Sequence, residues 1–221
     1  DYADEHVLDT FTESMFAGHP LAHNILGTRE SIASITREKL MNFYEREYRN
    51  DKAVISIAGN FEISEAERLV KKYFSESKGS SALIKQNFSY ERIYRKHIER
   101  EIEQVHFALG FDGLPKTHED RYSLFLLSTI FGGSSSSRLF QNIREREGLC
   151  YSVFSFHSSY SDNGLFGVYC SASPEKFEKA RSLILDECRL LREKGVNEDE
   201  LSDAKSYLKG SLALSMESVE V

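Results

Sequence analysis

The 221-residue sequence predicts an α+β fold in two units, each a largely antiparallel sheet covered by helices. Three observations predict it. Short apolar runs rich in β-branched and aromatic residues recur at 53–59, 104–111, 151–160 and 165–172, bounded by turn residues. Stretches with apolar residues at helical spacing separate them. From 75 to 90 the sequence shifts to Ser, Glu, Lys, Gly, Gln and Asn without periodicity, as a connector between domains does. We therefore expect a first unit over 1–78, a linker over 79–91 and a second unit over 92–221.

Taken in order, Val7, Leu8, Phe11, Met15 and Phe16 mark an amphipathic helix over 4–17 that Gly18 ends. A loop through Gly18-His19-Pro20-Leu21 leads to a short helix at 29–34 and a longer one at 37–48, capped by Thr36 and buried through Leu40, Phe43, Tyr44 and Tyr48. Residues 53–59 read as an internal strand. Ser64 and Glu67 have capping-box spacing for a helix whose apolar side is Leu69, Val70, Tyr73 and Phe74. No G-x-G-x-x-G follows that strand, so a dinucleotide site is not supported.

Beyond the linker, 92–101 and 104–111 are strand candidates, the second alternating Val105, Phe107, Leu109 against His106, Ala108, Gly110. Residues 118–131 read as an apolar helix. A hairpin joins 151–160 to 165–172 across Ser161-Asp162-Asn163-Gly164. Ser173 and Pro174 open a long helix that Gly195 stops, and Asn197 with Glu200 caps a last one that is still running at Val221. Both chain ends fall inside helical patterns without start or stop signals, which reads as a sequence cut from something longer.

Composition narrows the function. With 40% hydrophobic and 29% charged residues the chain can build a sizeable core. A net charge of −7 with no basic face argues against nucleic acid. Cys150, Cys170 and Cys188 make an odd count without a C-x-x-C pair, which fits free thiols in a reducing compartment. No run is long enough to span a membrane and no signal peptide is visible, so a cytoplasmic location is expected.

One stretch organises the rest. In 132–153 two glycines loosen the backbone, four serines offer caps, Leu139, Phe140 and Ile143 give a short helix an apolar side, and Gly148 suits a left-handed stop. A strand opens at Tyr151. Arg144 and Tyr151, seven positions apart across this reversal, are expected to present a cation and a phenol to one groove.

The run S-S-R-L-F-x-x-I-R-E-x-x-G-L-x-Y-S-V, from Ser136 to Val153, resembles the signature in the C-terminal half of the pitrilysin, insulinase and mitochondrial processing peptidase superfamily of zinc peptidases. A second block resembles the later part of the catalytic half: Gly18-His19-Pro20-Leu21, Ile25-Leu26-Gly27-Thr28, Ile32, Ile35-Thr36, Leu40, Phe43-Tyr44, Tyr48 and the run ending Ala58-Gly59-Asn60. Together they span nearly the whole chain. The resemblance implies two homologous halves that close on an unfolded peptide, with Arg144 and Tyr151 contacting that peptide near the scissile bond. It also implies a zinc-binding H-x-x-E-H, which this sequence does not contain. All three zinc ligands are expected upstream of residue 1, because 1–10 resembles the stretch just after the third.

No other set of residues replaces them. His19 and His23 have ligand spacing, but Gly18 and Pro20 argue for a loop; His97 and His106 read as strand residues, His118 as a helix-start residue and His157 as a strand residue. Cys150 lacks a His partner in sequence and there is no G-x-S-x-G. The resemblance therefore implies a segment of a zinc-dependent endopeptidase acting on unfolded peptides or presequences. Zinc belongs to the complete protein, and this chain alone is expected to bind none and to be inactive. The alternative is a non-catalytic peptide-binding or scaffold subunit of the same family. A homodimer or pairing with a related subunit is expected, because strand edges left open favour it.

Overall fold

The structure, a computed structural model, describes residues 2–50, 53–74 and 91–217. In chain order the elements are α1 (Ala3–Met15), α2 (Arg29–Ala33), α3 (Arg37–Glu47), α4 (Ile63–Tyr73), β1 (Val105–Asp112), α5 (Arg121–Gly132), a π-helical turn (Phe140–Arg146), β2 (Ser152–Ser159), β3 (Gly164–Ala172), α6 (Phe177–Lys194) and α7 (Glu198–Glu217). They divide into two units, one of residues 1–22 with 90–221 and the other of residues 23–89. The expected linker, 79–91, lies outside the described residues except for Glu91.

The larger unit is built on a three-stranded antiparallel sheet in the order β1-β3-β2. Side chains alternate across it, so each face collects its own core. On one face Val153, Phe166, Val168 and Cys170 pack with Leu124 and Phe131 of α5, Leu139 and Ile143 of the turn region, and Ala180 and Ile184 of α6. On the other, Leu165, Ala108 and Phe156 meet Phe11, Met15 and Phe16 of α1 and its end. Phe11 seats over Gly110, leaving no room there for a side chain. The β2–β3 hairpin closes where Tyr160 N–H donates to the Asn163 carbonyl at 2.8 Å, at the turn expected from Asp162-Asn163-Gly164.

α5 crosses β2 closely at Gly132, where a Cβ would sit 2.3 Å from the Ser155 nitrogen. The hydroxyl of Ser155 donates to the Ser128 carbonyl at 2.7 Å across the same contact. α7 opens with the expected capping box: Asn197 N–H donates to Glu200 Oε2 at 3.0 Å and Glu200 N–H to Asn197 Oδ1 at 2.9 Å.

Three local expectations are corrected. Residues 92–101 form no strand: Glu91 N–H and Ile93 N–H donate to the carbonyls of Ala17 and Ser14, Lys96 pairs with Glu13, and Arg92 pairs with Asp112 at the end of β1. α4 begins after Glu62 with no side-chain cap, so Ser64 sits inside the helix. Residues 53–58 carry no ladder bonds either, since a strand exists only beside another and none of the described residues supplies one.

In the smaller unit Ile55 and Ile57 instead line an apolar groove of about 250 Å³ with Ile63, Ala66 and Val70 of α4. Thr36 caps α3 as expected, its hydroxyl accepting from Lys39 N–H. None of α2, α3 and α4 has a buried residue. Leu40, Phe43, Tyr44, Tyr48, Leu69 and Phe74 are exposed, against the buried helix sides that the spacing predicts.

Candidate functional site

The site is built on the turn between α5 and β2. Ser134 to Ser137 make a tight link in which Ser137 donates its hydroxyl to the Ser134 carbonyl at 2.6 Å instead of capping the helix as expected. The helix that follows is π-helical over Phe140–Arg146, a form enriched at functional sites because its wider turns re-aim side chains. Leu139 and Ile143 are fully buried and Leu149 nearly so, which roots the turn in the core. Gly148 takes φ 58°, the left-handed stop expected, and Leu149 N–H returns to the Ile143 carbonyl at 3.0 Å.

Polar contacts tie the same turn to α6 and α7. Asn142 donates to Glu187 at 2.6 Å, Lys179 pairs with Glu147 at 2.6 Å, and Lys176 donates to the Gly148 carbonyl at 2.9 Å. Arg138 pairs with Glu200 through two bonds, at 2.5 and 2.7 Å.

From this anchored frame Arg144 projects outward, exposed, with its guanidinium 4.8 Å from the Phe140 ring centre. Tyr151 stands just before β2, its side chain 61% exposed while its N–H donates to the Ser171 carbonyl at 2.9 Å. Arg144 acts electrostatically on Cys150, the neighbour of Tyr151. The cation and the phenol are thus both solvent-facing on elements that the core holds.

Cys150 packs against the core cluster that holds Cys170. The Cys170 thiol beside it lowers the Cys150 thiol, burial opposes, and the Arg144 charge lowers it further. Cys170 moves the other way, pushed up by Cys150 and by burial. Burial and Glu187 push Cys188 up to about 11. Thiolate is the reactive form, so iodoacetamide near pH ~8 is expected to label Cys150 well before the other two. Peptide mass spectrometry over time reads the order, and labelling of Cys188 first would contradict it.

The histidines are dispersed. His19 is buried, its Nδ1 accepting from Leu21 N–H at 3.1 Å, and His23 is exposed. His106 Nδ1 lies 2.7 Å from the Tyr169 hydroxyl, His118 Nδ1 accepts from Asp120 N–H, and His157 meets the Phe125 ring edge-on. His97 is exposed in the segment that is not a strand. Among the described residues no three His, Cys, Asp or Glu side chains are grouped to hold a metal ion. No helix among them is long and apolar enough to cross a membrane.

Residues 34–208 match the model of the peptidase M16 inactive domain. The chain is 39% identical over 220 residues to the uncharacterized zinc protease YmxG of Bacillus subtilis, covering 99% of this chain and 53% of that protein. An uncharacterized zinc protease of Streptomyces coelicolor is 35% identical over 96% of this chain and 48% of its own length. Among solved structures, a peptidase M16 inactive domain from Pseudomonas fluorescens superposes with a TM-score of 0.85 at 26% identity, covering 94% of this chain and 51% of that one. The chain thus spans about half the length of the curated relatives it matches.

Proposed function

Since the chain belongs to the peptidase M16 family, we propose that it is the peptide-holding part of a zinc-dependent endopeptidase acting on unfolded peptides or presequences. The observation that carries this reading is the outward placement of Arg144 and Tyr151 on a turn and a strand start that the core anchors. The Arg144 guanidinium is a rigid fork of donors that two carbonyl oxygens of an extended peptide can accept from together. The Tyr151 phenol donates to a substrate carbonyl oxygen as negative charge builds on it. The metal and its ligands belong to the part of the parent protein outside this chain. That part also covers the exposed helix faces of the smaller unit. We place the parent in the cytoplasm because Cys150, Cys170 and Cys188 are all free thiols.

A second reading is a non-catalytic peptide-binding or scaffold subunit that pairs with an active relative. The absence of a metal-holding group among the described residues is compatible with both readings. Hydrolysis of fluorescein-labelled β-casein, an unfolded protein, separates the two. The complete protein is expected to cleave casein, to stop when zinc is chelated and to recover when zinc returns, while this chain alone binds casein without cutting it. Binding without cleavage by the complete protein would assign the scaffold role, and no binding at all would remove both readings.

A further inference from the structure

Arg138 opens the turn that carries Arg144, and its guanidinium is held by the corner between α6 and α7. Nε donates to Glu200 Oε1 at 2.5 Å, and Nη2 donates to Glu200 Oε2 at 2.7 Å and to the Gly195 carbonyl at 2.8 Å. Glu200 is fixed in turn by the Asn197 capping box. The side chains of Arg138 and Glu200 are 17% and 25% exposed, whereas Lys179 and Glu147, the other ion pair on the turn, are 60% and 44% exposed. Mutual hydrogen bonding raises Arg138 and lowers Glu200, so both stay charged. A half-buried bidentate pair restricts direction in a way that an exposed lysine pair does not.

We propose that the Arg138–Glu200 clamp positions the peptide-holding site, fixing the roll of the π-helical turn and so the direction in which Arg144 presents its fork. Leu139 and Ile143, both fully buried, set how deep the turn sits and which side faces the core, and the clamp holds the opposite side with directional bonds. On the side of the turn away from that core lies a polar cleft of about 600 Å³, lined by Gln141, Asn142, Arg146, Lys194 and Asn197 with the clamp in its wall. Apart from Leu190 the side chains lining it are polar, so hydrogen bonds and ion pairs carry most of the restraint on this side. The clamp crosses this cleft to the corner of α6 and α7 and, beside the Asn142–Glu187 bond, supplies its charged bidentate restraint.

This inference rests on Arg144 holding peptide, and the experiment separates the two. Casein binding is measured by fluorescence anisotropy on the complete protein with its metal chelated, together with amide exchange over residues 139–149 and the melting temperature. Glu200→Gln keeps the α7 capping box but loses the charged bidentate partner. Arg138→Lys keeps the charge but loses the fork. Each is expected to weaken casein binding about tenfold and to speed exchange over 139–149, with the melting temperature nearly unchanged. The double variant is expected to be no worse than either single one, because both remove the same contact. If Arg144→Ala weakens binding while both clamp variants keep wild-type affinity and exchange, the clamp proposal alone falls. If Arg144→Ala leaves affinity unchanged, the peptide-holding reading falls and the clamp's role with it.

Discussion

Arg144→Ala in the complete protein is expected, on the proposed function, to cut kcat/KM on casein about a hundredfold, the usual scale for removing one donor from a site of developing charge. Stability is expected to move far less. Arg144 is exposed, and its guanidinium lies over the Phe140 ring, a cation–π contact worth about 0.5–1 kcal/mol at such a site. Tyr151→Phe removes only a hydroxyl from an exposed ring and leaves the backbone bond to Ser171, so it too is expected to lower turnover while the melting curve stays in place. Arg144→Lys keeps the charge but not the fork and is expected to fall between wild type and Ala. The measurement is steady-state kinetics beside thermal unfolding of the same preparations. Wild-type turnover in both Arg144→Ala and Tyr151→Phe would sink the proposed role, and a large fall in melting temperature would move these residues from substrate to scaffold.

What the sequence made legible was what neighbouring residues decide. The Asn197–Glu200 box, the Thr36 cap, the left-handed stop at Gly148 and the turn at Asn163-Gly164 rest on groups a few positions apart, and the structure places each where the local chemistry demands. Strands were legible only where a hairpin or a sheet neighbour is present. β2 pairs with β3 along its whole length, whereas 53–58 has the same apolar, β-branched character and no described partner. Residues 92–101 depart from expectation for a related reason, since the Ile93 N–H goes to the Ser14 carbonyl of α1, far off in sequence. The candidate site divides the same way. Arg144 and Tyr151 could be picked out from one contiguous string, but Arg138 meets Glu200 across 62 positions, and no local pattern announces such a pair. The only hint was that Glu200 stood out as a capping residue, and that role does not exclude a second one. The π-helical form of the turn carried no signal either, because the apolar spacing of Leu139, Phe140 and Ile143 reads as an ordinary helix.

Ile143→Ala is expected to have the largest effect on stability, about 2–5 kcal/mol, because it opens a cavity beneath the turn in a core that cannot fully collapse. Ile143 is fully buried and packs with the cluster that joins α5, the sheet and α6. For a chain of this size the melting temperature is expected to drop by roughly 5–15 °C. Val168→Ala, on the central strand and equally buried, is the matched comparison. It deletes side-chain volume from the same core but lies on the central strand, not on the turn that carries Arg144. Measured well below both melting temperatures with metal chelated, Ile143→Ala is expected to weaken casein binding as well, since the floor that sets the depth of the Arg144 turn is gone. Val168→Ala is expected to keep near-wild-type affinity despite its lower stability. Equal affinity losses in the two variants would mean that binding follows global stability, and the turn would then have no special claim to be the site. A loss confined to Ile143→Ala would tie peptide binding to the seating of that one turn, the shared condition of the Arg144 and Arg138 arguments.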